Sequence, residues 1–218
     1  MFIAPEGRVL VSADGASYQA RVMAHFARNE EFSKEILGGD IHQKNADAIG
    51  CSRNVAKPFF FAWAFGAGGA KLGVILGTSA QAGNKAKEKF LARWPALKTL
   101  TEQVKRVAKQ RGWIKGLDGR KIFIEEDYKA FNYLIQGTEA ILMKRTIVRI
   151  NEAFEAEGID AKQLLFYHDE CSWEVKPEDA PRAEQIIRHW FEHAPKELGI
   201  TIMEAGDCKV GADYLEVH

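Results

Sequence analysis

The feature that most constrains this chain is a charged triplet between two apolar runs. Leu164-Leu165-Phe166-Tyr167 precedes His168-Asp169-Glu170, and Cys171-Ser172-Trp173 follows with Val175 beyond. Two apolar runs around a charged tip read as a β-hairpin whose turn presents adjacent carboxylates. A second strand-like run, Val9-Leu10-Val11-Ser12-Ala13, ends on Asp14. Carboxylates at the ends of neighbouring strands suit Mg²⁺, a hard cation that takes oxygen ligands and leaves room for substrate phosphates. Taken singly, each is as readily a solvated strand-end acid.

At 218 residues the chain can bury a sizeable core in one or two domains. Lys plus Arg and Asp plus Glu are each 30, so net charge neither favours nor excludes a nucleic-acid partner. Cations do concentrate between Lys85 and Arg120, a pattern that by itself reads as a solvated helix face. Three cysteines without a C-x-x-C pair indicate neither a disulfide framework nor a zinc site. No leader pattern is present, and Pro58 to Phe65 is too short to span a bilayer, so a cytoplasmic protein is expected.

Helical spacing is expected over Ser17–Arg28, from Ile41 to Gly50 with Asp40 as cap, from Ser52 to about Gly66, and over Ser79–Arg93, Ala96–Arg111, Tyr128–Phe154 and Pro181–His193. Hairpins are expected over Gly112–Ile124 and Leu164–Val175, with a short last strand near Thr201–Met203. Strands toward both ends and helices between them give an α+β class, a sheet layer with a helical insertion. The stretch Gly66-Ala67-Gly68-Gly69-Ala70-Lys71 lacks the Gly-Lys-Ser/Thr ending of a phosphate loop, and that reading is rejected.

After Ser52, Arg53, Lys57, Phe61 and Phe65 recur at steps of four, followed by Gly66. Such steps drift by only about 40° on a helix, so two cations and two aromatics share a face. A packed core explains Phe59, Phe60 and Trp63 but not the cations. With this helix the chain resembles the family A DNA polymerases, the DNA polymerase I type and especially the phage replicative enzymes. The fingers signature appears as Arg53, Lys57, Phe61, Phe65 and Gly66, the first palm motif as Asp14 to Arg21, and the last as His168-Asp169-Glu170. Gly39-Asp40-Ile41-His42, Trp113 to Lys121, and Asn132 with Ile135-Gln136-Gly137-Thr138 match further elements in order, so the resemblance runs from about residue 2 to His218.

The resemblance implies a palm sheet with a mostly helical fingers insertion, palm at 1–29 and 128–218 and fingers at 30–127. Met1 aligns midway through the family's palm, so thumb and exonuclease domains are expected to be lacking. A second polypeptide would then carry them, in a split polymerase of a bacterial or phage-infected cell. Template-directed DNA synthesis from dNTPs on a primer-template would proceed by two-metal nucleotidyl transfer. Asp14 and Asp169 would hold two Mg²⁺ ions with the Gly15 carbonyl, and Glu170 would stand beside them. Arg53, Lys57 and His42 would bind the β and γ phosphates, and Phe61 and Phe65 would stack on substrate and template. His168, Gln136, Asn132 and Arg120 would contact primer or template. Gln19 stands where the family has a glutamate that blocks a ribose 2′-hydroxyl, and its amide could donate a hydrogen bond there. Pro58 should kink the signature helix or delay its start. The alternatives are a non-catalytic DNA-binding subunit that keeps the fold, or a relative of the single-subunit RNA polymerases.

Overall fold

In the computed structural model, which describes residues 3–218, the chain runs β1 (Val9–Gly15), α1 (Tyr18–Ala27), α2 (Glu30–Leu37), α3 (Ile41–Ile49), α4 (Arg53–Ala64), α5 (Gly69–Ile75), α6 (Ala80–Arg93) and α7 (Pro95–Arg111). A short hairpin, β2 (Trp113–Lys115) and β3 (Lys121–Phe123), leads to the long α8 (Ala130–Ala156). There follow β4 (Lys162–Tyr167), β5 (Glu170–Val175), α9 (Ala180–His193), β6 (Ala205–Gly211) and α10 (Tyr214–Val217). The first two residues of the expected 1–29 segment lie outside the described residues. No helix among the described residues is long and apolar enough to cross a membrane. Two compact units emerge, Met1–Gln19 with Thr138–His218, and Ala20–Gly137.

The first unit is built on an antiparallel sheet ordered β4-β5-β1-β6. β1 is apolar on both faces because it is an inner strand: Leu10 and Val11 are buried, as are Trp173 and Val175 on its neighbour β5. Ile186, Ile187 and Phe191, spaced along one face of α9, are buried with them. The last strand is not at Thr201–Met203 but at Ala205–Gly211, where residues 208–211 find backbone partners along β1, Cys208 opposite Ala13 and Gly211 opposite Leu10. Pairing with an inner strand overrides the weak strand propensity of a Gly-containing segment. β4 is an edge strand, and Leu164, Phe166 and Tyr167 on it are exposed.

The second unit is mostly helical, and its sequence punctuation works as capping chemistry. Asp40 accepts from Gln43 N–H at 3.0 Å to open α3, Gly50 closes it at φ 84°, and Ser79 accepts from Ala82 N–H to open α6. Asn29 caps α2 the same way, though eight residues are too few for periodicity to announce that helix. Phe59, Phe60, Trp63 and Phe90 form an aromatic core, the Trp63 and Phe90 rings 4.7 Å apart, and buried Trp94 donates its indole N–H to Asn45 at 2.7 Å.

One expectation changes here. α4 starts at Arg53 and runs through Pro58, so the proline does not delay the helix and the spacing from Arg53 to Phe61 is continuous. The glycines at the start of α5 serve packing. A Cβ on Gly83 of α6 would lie 2.2 Å from the Gly69 carbonyl oxygen, and one on Gly73 would lie 2.4 Å from that of Ser79, so α5 and α6 approach backbone to backbone.

Candidate active site

At one end of the sheet, the hydrogen-bond ladder sets the acids side by side. Asp14 is the penultimate residue of β1 and pairs with Glu170, the first of β5. Asp169 lies in the turn before it, its carbonyl accepting from Gly15 N–H at 3.0 Å. That turn is tight enough to hold His168 at φ 54°, a left-handed conformation unusual for a side-chain-bearing residue. Asp14, His168, Asp169 and Glu170 line one cavity of about 280 Å³, together with Asp207 and Lys209 of β6.

The electrostatics of this cavity are unfavourable to its own acids. Burial raises the Asp169 carboxyl above its ordinary range, and the charge of Asp14 raises it further. Desolvation also raises Asp14, with the charges of Asp207 and Glu170 adding to it, although Asp14 reaches solvent. Glycines let the acids approach. A Cβ on Gly206 would lie 2.3 Å from Asp14 Oδ1, and one on Gly15 would lie 2.3 Å from the Tyr18 ring, so only hydrogen at these positions leaves room for that carboxylate and that ring.

Crowded, mutually repelling carboxylate oxygens fit a hard dication. No group of three or more His, Cys, Asp or Glu side chains among the described residues is arranged to enclose a metal. Glu170 is committed differently: its carboxylate accepts from Ser12 Oγ at 3.2 Å and Tyr214 Oη at 3.0 Å, and lies 3.2 Å from His218 Nδ1.

In the helical unit, α3 and α4 bring His42, Arg53 and Lys57 into electrostatic contact. Desolvation depresses the His42 imidazolium, and the charges of Lys57 and Arg53 depress it further. His42 lies edge-on to Phe60 and near Phe61, their ring centroids 5.8 and 6.0 Å away, and its Nδ1 is buried with no partner among the described residues. Arg53 donates to the capping acid Asp40 at 2.7 Å, while Lys57 is exposed. Phe61 and Phe65 follow along the helix, their rings 6.5 Å apart, with Phe65 open to solvent. Arg120 pairs with Asp118 at 2.7 Å across the β2–β3 turn. On α8 Gln136 is exposed, Asn132 is half-buried, and a Cβ on Gly137 between them and Thr138 would lie 2.8 Å from Ile122.

Two site residues escape a reading of the sequence. Asp207 carries no motif and reaches the cavity only because β6 pairs with β1. Glu139 is 3 % exposed on α8 and accepts from Gln19 Nε2 at 2.9 Å. Burial pushes its carboxyl up to about 7, the Gln19 bond opposing this and the charge of Asp169 adding to it. A lone acid among Ile135, Leu142 and Met143 was the signal that could have found it.

The sheet unit crowds strand-end carboxylates into one cavity, and the helical unit gathers cations and aromatics on α3 and α4, side chains whose chemistry suits phosphate-bearing substrates. The model for DNA polymerase family A matches residues 1–216, and the chain belongs to that family. It is 31% identical to the DNA-directed DNA polymerase of Enterobacteria phage T3 over 96% of its own length, and 33% identical to that of Escherichia phage T7 over 88%. It is 26% identical to DNA polymerase I of Pseudomonas aeruginosa over its whole length. The chain spans only 33%, 30% and 26% of these relatives, respectively. The fold also matches a solved structure described as the POL domain of Pol1 from M. smegmatis in complex with DNA primer-template and dNTP. The TM-score is 0.87 at 21% identity, over 99% of this chain and 42% of that one.

Proposed function

We propose that this chain carries the nucleotidyl-transfer site of a DNA polymerase, with the sheet unit as palm and the helical unit as fingers. The observation that carries the reading is the placing of Asp14 and Asp169 in one cavity at the end of β1 and in the turn before β5, where burial raises both carboxyls and the charge of Asp14 raises Asp169 further. Asp14, Asp169 and the Gly15 carbonyl would hold two Mg²⁺ ions, which supply Lewis acidity at the primer 3′-hydroxyl and at the triphosphate. The 3′-oxygen bonds to the α-phosphorus, its proton passes to solvent, and the bond to the bridging oxygen breaks to release pyrophosphate.

Arg53, Lys57 and His42 bind the β and γ phosphates, stabilising the charge that grows on the leaving group. The gathering of His42, Arg53 and Lys57 supports this: burial chiefly depresses His42, and the charges of Lys57 and Arg53, which a polyanion would neutralise, depress it further. Arg53 is held toward that role by Asp40. Phe61 and Phe65 stack on nucleotide and template, Gln19 faces the incoming sugar, and His168, Gln136, Asn132 and Arg120 hold the duplex. Glu170, bound by Ser12, Tyr214 and His218, acts by shaping the cavity wall.

Grip on the duplex comes from additional protein, which we assign to a second polypeptide bearing thumb and exonuclease regions. The exposed apolar edge strand β4 supports a covering partner. The experiment is primer extension with Mg²⁺ by the chain alone and with that polypeptide. Extension that needs both supports the split arrangement, processive synthesis by this chain alone refutes it, and no extension under either condition refutes the polymerase reading.

A further inference from the structure

Gln19 is not a free amide. Its Nε2 donates to Glu139 Oε2 at 2.9 Å, and Glu139 is buried on α8 with its other oxygen, Oε1, lacking a partner among the described residues. Above pH 7, where Glu139 is ionised, its carboxylate only accepts, so it meets the amide on its NH₂ side, and the amide carbonyl, fixed about 120° away on the same planar group, points elsewhere. Releasing or flipping the amide would strip a buried acid of its one hydrogen bond, which costs more than such a bond contributes when made.

We infer that Glu139 is a positioning residue that locks the Gln19 amide in one orientation, its nitrogen held toward α8 and its carbonyl oxygen turned away from it. The inference rests on the reading of Gln19 as the residue facing the incoming sugar. The locked amide then offers that sugar bulk and a carbonyl acceptor in one fixed orientation, much as a glutamate would. The expectation that Gln19 would welcome a 2′-hydroxyl by donating to it is thereby narrowed, because one of its two N–H donors is already used and its nitrogen is held at α8.

The test is single-nucleotide incorporation of deoxy- and ribonucleotides by the full chain, with its partner polypeptide if required. The variants are Glu139→Gln, Gln19→Glu and the exchanged pair Gln19→Glu/Glu139→Gln. Glu139→Gln, an isostere, lets the Gln19 amide turn either way, and the deoxy-to-ribo preference should fall about ten-fold, the scale of one hydrogen bond. Gln19→Glu alone sets two carboxyls 2.9 Å apart and should perturb both substrates. The exchanged pair restores donor to acceptor and should recover the wild-type preference, which a merely structural role for Glu139 would not require. An unchanged preference in Glu139→Gln, or failure of the exchanged pair to recover what that variant loses, overturns the inference while leaving the polymerase reading intact. Absence of any deoxynucleotide incorporation by wild type overturns both.

Discussion

The two units place their strain differently. In the helical unit, the buried Trp94 indole is matched by Asn45, and the cations of α4, Arg53 and Lys57, stand at the surface, Arg53 already paired with Asp40. In the sheet unit, Asp14 and Asp169 sit where burial and the charges of neighbouring acids oppose ionisation, and Glu139 lies buried with one oxygen unmatched among the described residues. A fold that tolerates such repulsion at one end of one sheet leaves it to be relieved by something that binds there. Stability is built in the helices, and reactivity at the strand ends.

A single added methyl group separates the two regions. Gly206→Ala drives a Cβ into the Asp14 carboxylate and should lower incorporation by a factor of about 100 or more, on the scale of displacing one catalytic group. Its melting temperature should move little, because that carboxylate can swing into solvent. Equal loss of stability and activity would break the contrast.

Glu139→Gln probes the strain through pH. Its folded value of about 7 stands above the ordinary 4.5, so the proton it binds stabilises the native state. That contribution is complete below about pH 4.5 and is lost as pH rises through 7, amounting to about 3 kcal/mol. The neutral variant should therefore be more stable than wild type at pH 8, relative to their difference at pH 4.5. Denaturant melts at the two pH values check this, and parallel curves would contradict it.

Gly83→Ala brings the same methyl against the Gly69 carbonyl oxygen, inside a packed helix pair. It should cost about 2 kcal/mol of stability, roughly 5 °C in melting temperature, with residual activity following the folded fraction. Smallest is Asp40→Ala, which removes the cap of α3 and the partner of Arg53 together. About 1 kcal/mol of stability and a several-fold rise in KM for nucleotide are expected, with kcat nearly unchanged. Steady-state kinetics would show it.

The same contrast governs what could be read from residues alone. Helices announced themselves through caps and periodicity, at Asp40, Gly50, Ser79 and Pro95, because those signals are local. Asp14 and the His168-Asp169-Glu170 turn were legible because apolar strands end on them. β6 was misplaced, and Asp207 with it, because its strand character comes from pairing with β1, nearly 200 residues away in the chain. Glu139 was missed because its meaning depends on Gln19, 120 residues earlier. The glycines of α5 and α6 explain themselves only once two backbones meet.

The most direct measurement of the central claim pairs two readouts on wild type and Asp169→Asn: single-nucleotide incorporation on a primer-template, and melting temperature with and without Mg²⁺. If the strand-end acids are a metal-dependent transfer site, Mg²⁺ stabilises wild type, and Asp169→Asn loses both that shift and at least about 1,000-fold in rate. Without metal the variant melts no lower than wild type, since it removes a repelling charge. Incorporation within a few-fold of wild type by Asp169→Asn, with the Mg²⁺ shift intact, would contradict the account.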